Sequence, residues 1–177
     1  MFHRTERLLL RPPWPEDWRA VLDAIADEEI VRNLARVPWP YDEAAARSFV
    51  ARSQDARLPH FLVVESASGR VIGSAGLGEH EGEPELGYWL ARGAWGRGYA
   101  AEAARGVVEV AKLLGHRRLV AGHFADNPRS AMVLRKAGFR PTGQIGSRYS
   151  LARGESVPSV EYALELADAE CLPPLAA

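Results

Sequence analysis

Two short stretches carry the residue types that bind anions and handle protons. The first is Trp95-Gly96-Arg97-Gly98-Tyr99-Ala100, between an alternating apolar run and a long helical pattern. Glycines there remove side-chain bulk, so consecutive backbone N–H groups converge on an anion at the positive end of the helix dipole. A phosphate or pyrophosphate is the ligand such a turn favours, although spacing alone fits a tight strand-to-helix connection equally well. The second stretch is Asp126-Asn127-Pro128-Arg129-Ser130. Asn127 has the form of a helix N-cap and Pro128 that of a first helical residue, and Ser130 either supports the cap or presents a hydroxyl beyond the helix mouth. By residue type alone the cap is the stronger reading.

Groups able to take a proton are scattered. Glu85 stands on a strand leading into the glycine turn, Glu79, His80, Glu81 and Glu83 crowd the loop before it, and His123 closes the strand before Asn127. Glu161 is a further carboxylate near the C-terminus. His3, His60, His80, His116 and His123 show no paired ligand spacing, which speaks against a metal site. No G-x-S-x-G elbow marks a serine hydrolase. Gly96, Gly98 and Ala101 also stand at dinucleotide spacing, the signature of a nucleotide-cofactor oxidoreductase. Antiparallel strands before the turn and a first strand-end acid only at Asp126, past the ~20 positions expected, count against that reading.

The elements that position these residues follow from the pattern. Arg7-Leu8-Leu9-Leu10-Arg11 reads as a strand stopped by prolines, a helix starts at Pro15, and another starts at Asp42-Glu43. Phe61–Glu65, Arg70–Leu77 and Glu85–Leu90 read as three antiparallel strands, with an acidic loop from Gly78 to Pro84. Ala100, Ala103, Ala104, Val107, Val108, Ala111 and Leu114 recur at helical spacing and place Glu102, Arg105, Glu109 and Lys112 on the solvent face. A strand over Leu119–Phe124, a helix opened by Asn127 and closed by Gly138, and two strands between Arg140 and Leu166 complete the chain.

With 177 residues, 47% of them hydrophobic, and no linker or repeat, the chain suits a single domain over 1–177. A net charge of -1 argues against a broad electrostatic grip on nucleic acid or an anionic membrane. The lone Cys171 excludes an internal disulfide framework, and no apolar run approaches a ~20-residue membrane span. The expectation is a soluble cytoplasmic protein.

In that order, these segments resemble the GCN5-related N-acetyltransferases, and within them the ribosomal-protein N-terminal acetyltransferases. The resemblance runs from Thr5-Glu6-Arg7-Leu8-Leu9-Leu10-Arg11 and Pro40-Tyr41, through Glu85-Leu86-Gly87-Tyr88-Trp89-Leu90 and the turn at Gly96, to Lys136-Ala137-Gly138-Phe139. It implies an α/β fold with a mixed, mostly antiparallel central sheet, flanked by helices and splayed between Leu90 and Leu119–Phe124. Acetyl-CoA would lie in the splay. Tyr88, Trp89 and Leu90 would meet its pantetheine arm, and Gly96, Arg97, Gly98, Tyr99, Ala100 and Ala101 its pyrophosphate. Asn127 and Ser130 would face the thioester, with Ser130 as donor to the leaving thiolate and Glu85 as base or relay for the amine. This chain departs from the family pattern in having Trp95, where Gln or Arg often begins the turn. The implied acceptor is a primary amine, a ribosomal-protein N-terminus or a small molecule, and homodimerisation is a family-level expectation. From the residues themselves, Trp14, Trp39, Tyr41 and the 78–84 loop are candidates for its pocket, although aromatics before strands are more often core, and acidic Glu79, Glu81 and Glu83 favour a cationic amine. A non-catalytic acyl-CoA-binding module is the alternative.

Overall fold

The structure, a computed structural model, describes residues 1–166; Cys171 lies outside them. Eight strands form one sheet in the order β1-β2-β3-β4-β5-β6-β8-β7. They are β1 (His3–Arg4), β2 (Leu8–Arg11), β3 (His60–Glu65), β4 (Val71–His80), β5 (Glu83–Leu90), β6 (Arg118–Phe124), β7 (Arg140–Ser150) and β8 (Glu155–Glu165). Every pairing is antiparallel except β5 with β6. That parallel contact is made at one register, Glu85 against Val120, after which the two strands part towards their carboxyl ends. Parallel neighbours need a crossover, and α4 (Tyr99–Leu113) supplies it.

The acidic loop expected from Gly78 to Pro84 is instead strand almost throughout. β4 and β5 run on to His80 opposite Glu83, and a tight turn at Glu81 and Gly82, both at positive φ, closes the hairpin. Its charged residues disguised strand alternation as a loop, because both strand ends project beyond the core.

Three helices cover one face of the sheet: α1 (Trp18–Ile25), the short α2 (Glu28–Val31), which the sequence pattern did not announce, and α3 (Glu43–Val50). Val21, Ile25, Ile30, Val31, Ala46 and Val50 form a cluster there with Leu62, against which Trp89 packs. The expected helix start at Pro15 is a 3-10 turn over Pro15–Asp17 that leads into α1. Buried Asp17 holds Arg11 through two hydrogen bonds of 2.7 Å, fixing this layer to β2. On the other face α4 and α5 (Pro128–Lys136) bury Val107, Val110, Leu134 and Phe139 against Leu10, Phe61, Leu119 and Tyr162. Each fully buried side chain of this size contributes roughly 1.5–3 kcal/mol. Gly106 sits mid-helix, where glycine is normally unfavourable. A Cβ there would come within 2.9 Å of Leu10 Cδ1 and 3.0 Å of Thr5 Cγ2, so its absence lets β1 and β2 approach α4.

Candidate active site

A cleft of about 1100 Å³ opens where β5 and β6 part. One end is the glycine turn. Gly96 (φ 75°) and Gly98 (φ 81°) adopt the left-handed conformation, and Gly98 is the residue from which α4 starts. Side chains with a Cβ resist that conformation, which explains why glycine stands at both positions. Gly96, Gly98, Tyr99, Ala100 and Ala101 line the cleft. The first turn of α4, whose N–H groups have no intrahelical partner, therefore borders an open space.

The side chains of this turn face elsewhere. Arg97 pairs with Glu65 at 3.0 Å and stacks on the Tyr99 ring, while the Tyr99 hydroxyl donates to Glu65 at 2.6 Å. Arg97 is not among the cleft-lining residues, its side chain being held by Glu65 and the Tyr99 ring. Trp95 takes no part in anion contact through its indole N–H, which donates to the Leu90 carbonyl at 2.8 Å. That bond occupies a backbone group expected to pair with the pantetheine arm.

Glu102, expected in solvent, is 5% exposed. Its carboxylate accepts hydrogen bonds from Thr5 Oγ1 (2.6 Å), the Arg7 backbone N–H (2.7 Å) and Arg7 Nε (2.7 Å), while Arg7 Nη1 donates to the Arg97 carbonyl at 3.1 Å. Burial by itself would raise the carboxyl, but these donors and the Arg7 charge outweigh it and hold Glu102 below the usual range. Helical periodicity cannot reveal a residue buried by a segment about 95 positions earlier.

The opposite wall is α5. Asn127 occupies the N-cap position with φ -114° and ψ 69°, yet its side chain makes no capping bond. The cap that its type suggested is therefore absent, and the amide is left to the cleft that Asn127 lines. Ser130 lies beside it, its hydroxyl 2.7 Å from that of Tyr88. Alternation along β5 sends Tyr88 towards α5, and Glu85, Gly87 and Trp89 to the other face. Burial pushes the Tyr88 phenol up to about 12, against a smaller opposing effect of the Ser130 hydrogen bond.

On the α1–α3 face Glu85 sits at the point where the strands part. It is 13% exposed and ion-paired with Arg148 of β7, with Arg36 at 3.7 Å. Arg148 also lies 3.6 Å from Glu161, and Gly122 makes room for it: a Cβ there would be 3.1 Å from the guanidinium carbon. Neither Arg148 nor its pairing with Glu85 was legible beforehand, since they come from strands 63 positions apart.

The other anticipated pocket residues lie elsewhere. Trp14 is stacked by Arg11, Tyr41 is buried among the helices, and neither they nor Trp39 line the cleft. Glu79 and Glu83 sit at the hairpin, Glu83 beside Arg118 at 3.2 Å. Of the 78–84 segment only Gly78 lines the cleft, and the mouth is rich in arginine instead: Arg32, Arg36, Arg52 and Arg148. The acids of that segment therefore give no reason to expect a cationic acceptor. His60, at the same mouth, is held below its ordinary value by burial and then by Arg52. Among the described residues no group of three His, Cys, Asp or Glu is placed to hold a metal ion, and no helix is long and apolar enough to cross a membrane.

A mixed sheet that splays beside a glycine turn at a helix start defines an acyltransferase-like architecture, and the comparisons agree. The acetyltransferase (GNAT) domain profile matches residues 7–140, and the chain belongs to that family. It is 27% identical over 168 residues to the uncharacterized N-acetyltransferase p20 of Bacillus licheniformis, covering 90% of this chain and 93% of the relative. A GNAT-family acetyltransferase from Bacillus anthracis superposes with TM-score 0.81 at 26% identity, covering 93% of this chain and 98% of that one. The microcin C7 self-immunity acetyltransferase MccE, solved with acetyl-CoA and AMP, shares the fold at TM-score 0.76 and 18% identity, over 92% and 94% of the two chains.

Proposed function

We propose that the protein is an acetyl-CoA-dependent N-acetyltransferase that moves the acetyl group directly to a primary amine within a ternary complex. One observation carries this reading: the anion-receiving turn at the start of α4 and the Ser130 hydroxyl on α5 face one cleft, opened by the parting of β5 and β6. The backbone N–H groups from Gly96 to Ala101 would hold the pyrophosphate, and the free edges of Tyr88 and Trp89 would meet the pantetheine arm. Asn127 and Ser130 would close on the thioester from the other wall.

The chemistry needs three things of the chain. A free α-amine has a pKa of about 7.7–8.0 and a lysine about 10.4, so the attacking nitrogen must lose a proton; Glu85 is the carboxylate beside the parting strands that can take or relay it. The developing oxyanion needs a donor, for which a backbone N–H at Tyr88 or Trp89 is suited. The leaving thiolate, of a thiol with pKa near about 8.5, gains from the Ser130 hydroxyl.

The acceptor reading is an amine of a protein N-terminus or a small molecule. The resemblance to ribosomal-protein N-terminal acetyltransferases supports the former, as does the fold shared with a candidate ribosomal-protein-serine acetyltransferase from Vibrio cholerae (TM-score 0.75, 19% identity, 94% of this chain and 98% of that one). The engagement of Glu85 by Arg148 is the observation that favours the second reading, an acyl-CoA-binding module without a competent base. Acetyl-CoA-dependent thiol release against a panel of peptides and small amines separates the two. Binding with no release for any amine selects the module.

A further inference from the structure

We propose that Tyr88 is a positioning residue for Ser130, its phenol donating to the Ser130 oxygen so that the one serine proton is left for the sulfur of the departing thiolate. The inference rests on the reading above that Ser130 serves the thioester.

The two hydroxyl oxygens are 2.7 Å apart, and they come from opposite walls of the cleft, β5 and α5. A serine hydroxyl has one proton and two lone pairs, and it rotates to suit its surroundings. A donor fixed in one lone pair restricts that rotation and polarises the O–H bond outward. The phenol is the stronger acid of the two hydroxyls and so the better donor, while serine oxygen is the better acceptor. Burial, which pushes Tyr88 up to about 12, keeps its proton in place through the neutral range. The other acceptor the phenol reaches is the Ser130 carbonyl, at the longer distance of 3.3 Å. Both alternatives bind Tyr88 to the same residue, whose turn of helix it steadies.

The proton balance is simple. As the bond from nitrogen to the acetyl carbon forms and the carbon–sulfur bond breaks, the amine proton leaves by way of Glu85 or water. The electron pair of the broken bond stays on sulfur, where the Ser130 O–H donates to it, and the thiolate takes a proton from solvent on release. Tyr88 keeps its own proton throughout.

The test is a cycle of Tyr88→Phe, Ser130→Ala and the double variant, read as kcat, acetyl-CoA KM and melting temperature. Phe keeps the ring and its packing. Tyr88→Phe is expected to lower kcat about tenfold, the worth of one hydrogen bond realised in the transition state, with acetyl-CoA KM changed less than about twofold. In the Ser130→Ala background the same change is expected to cost nothing more, because Tyr88 acts through the oxygen that is gone. An equal loss in both backgrounds, or a kcat loss that follows a fallen melting temperature, overturns the proposal and leaves Tyr88 a structural tether. Full activity in Tyr88→Phe also overturns it. Full activity in Ser130→Ala removes the serine role itself, whereas a wild-type chain that acetylates no amine overturns the acetyltransferase reading beneath both.

Discussion

Arg7 and Glu102 join the edge of the sheet to the glycine turn before α4. The guanidinium of Arg7 reaches the buried Glu102 carboxylate through Nε at 2.7 Å and Nη2 at 2.6 Å, and its remaining nitrogen holds the Arg97 carbonyl between the two glycines. A turn with two left-handed glycines is intrinsically free to rearrange, and this pair restricts it from outside.

Loss of the pair is therefore expected to appear in cofactor affinity. Arg7→Lys cannot reproduce the forked contact, and Glu102→Gln keeps the shape but removes the charge. Either change is expected to weaken CoA binding roughly 3- to 10-fold by calorimetry, the size of coupling usual for groups in one network. The pair also sets a pH dependence. Glu102 lies below the ordinary carboxyl range, as does Asp17, where burial acts upward but the Arg11 hydrogen bonds, the Trp14 backbone N–H and the Arg11 charge prevail. Carboxyls lowered in the folded state contribute stability that is complete above their unfolded values of about 3.9–4.3 and is lost as pH falls through the folded ones. Melting temperatures followed from pH 7 downward should thus hold to about pH 5 and then drop, with a shallower drop in Asp17→Asn.

Gly98→Val places a β-branched residue at φ 81°, with a Cβ 3.5 Å from the Arg7 guanidinium. The strained backbone costs about 1–2 kcal/mol, met either by reshaping the turn or by destabilising it. CoA affinity is expected to fall about tenfold or more, while circular dichroism stays that of the wild type. Unchanged affinity would remove the turn from the site.

Asn127 and Ser130 separate cap from catalysis. With no capping bond to lose, Asn127→Ala is expected to change the melting temperature little, in contrast to the usual loss of about 1 kcal/mol for a working cap. Its effect should fall on acetyl-CoA KM. Ser130→Ala should lower kcat with acetyl-CoA affinity largely kept.

Glu85→Gln tests the route of the amine proton. If the carboxylate takes or relays it, the rate falls most near neutral pH and recovers towards pH 9–10, where an α-amine of pKa about 7.7–8.0 is already neutral. A uniform loss across pH would assign Glu85 to positioning through Arg148 and Arg36.

The sequence showed the parts of this site whose signals are local. The turn at Gly96 and Gly98, the helix after it, Asn127-Pro128 and the antiparallel strands before Leu90 all follow from neighbours within a few residues. What it hid depends on distant segments meeting. Glu102 looks solvent-facing until Thr5 and Arg7 cover it, Glu85 looks free until Arg148 arrives from β7, and Asn127 looks like a cap although no capping bond forms. Of the aromatic residues considered for the acceptor pocket, Tyr41 packs into the helix layer and Trp14 lies under Arg11, and none of Trp14, Trp39 and Tyr41 lines the cleft.

Transfer of an acetyl group from acetyl-CoA to a primary amine in this cleft can be followed in a single-turnover assay. Enzyme in excess over acetyl-CoA is mixed with N-terminal peptides and small amines, and both free CoA thiol and acetylated amine are measured by mass spectrometry. The two products are expected to appear together, one for one, and both to be suppressed in Gly98→Val. CoA binding with no acetylated amine from any acceptor class, or thiol release matched only by free acetate, would contradict it.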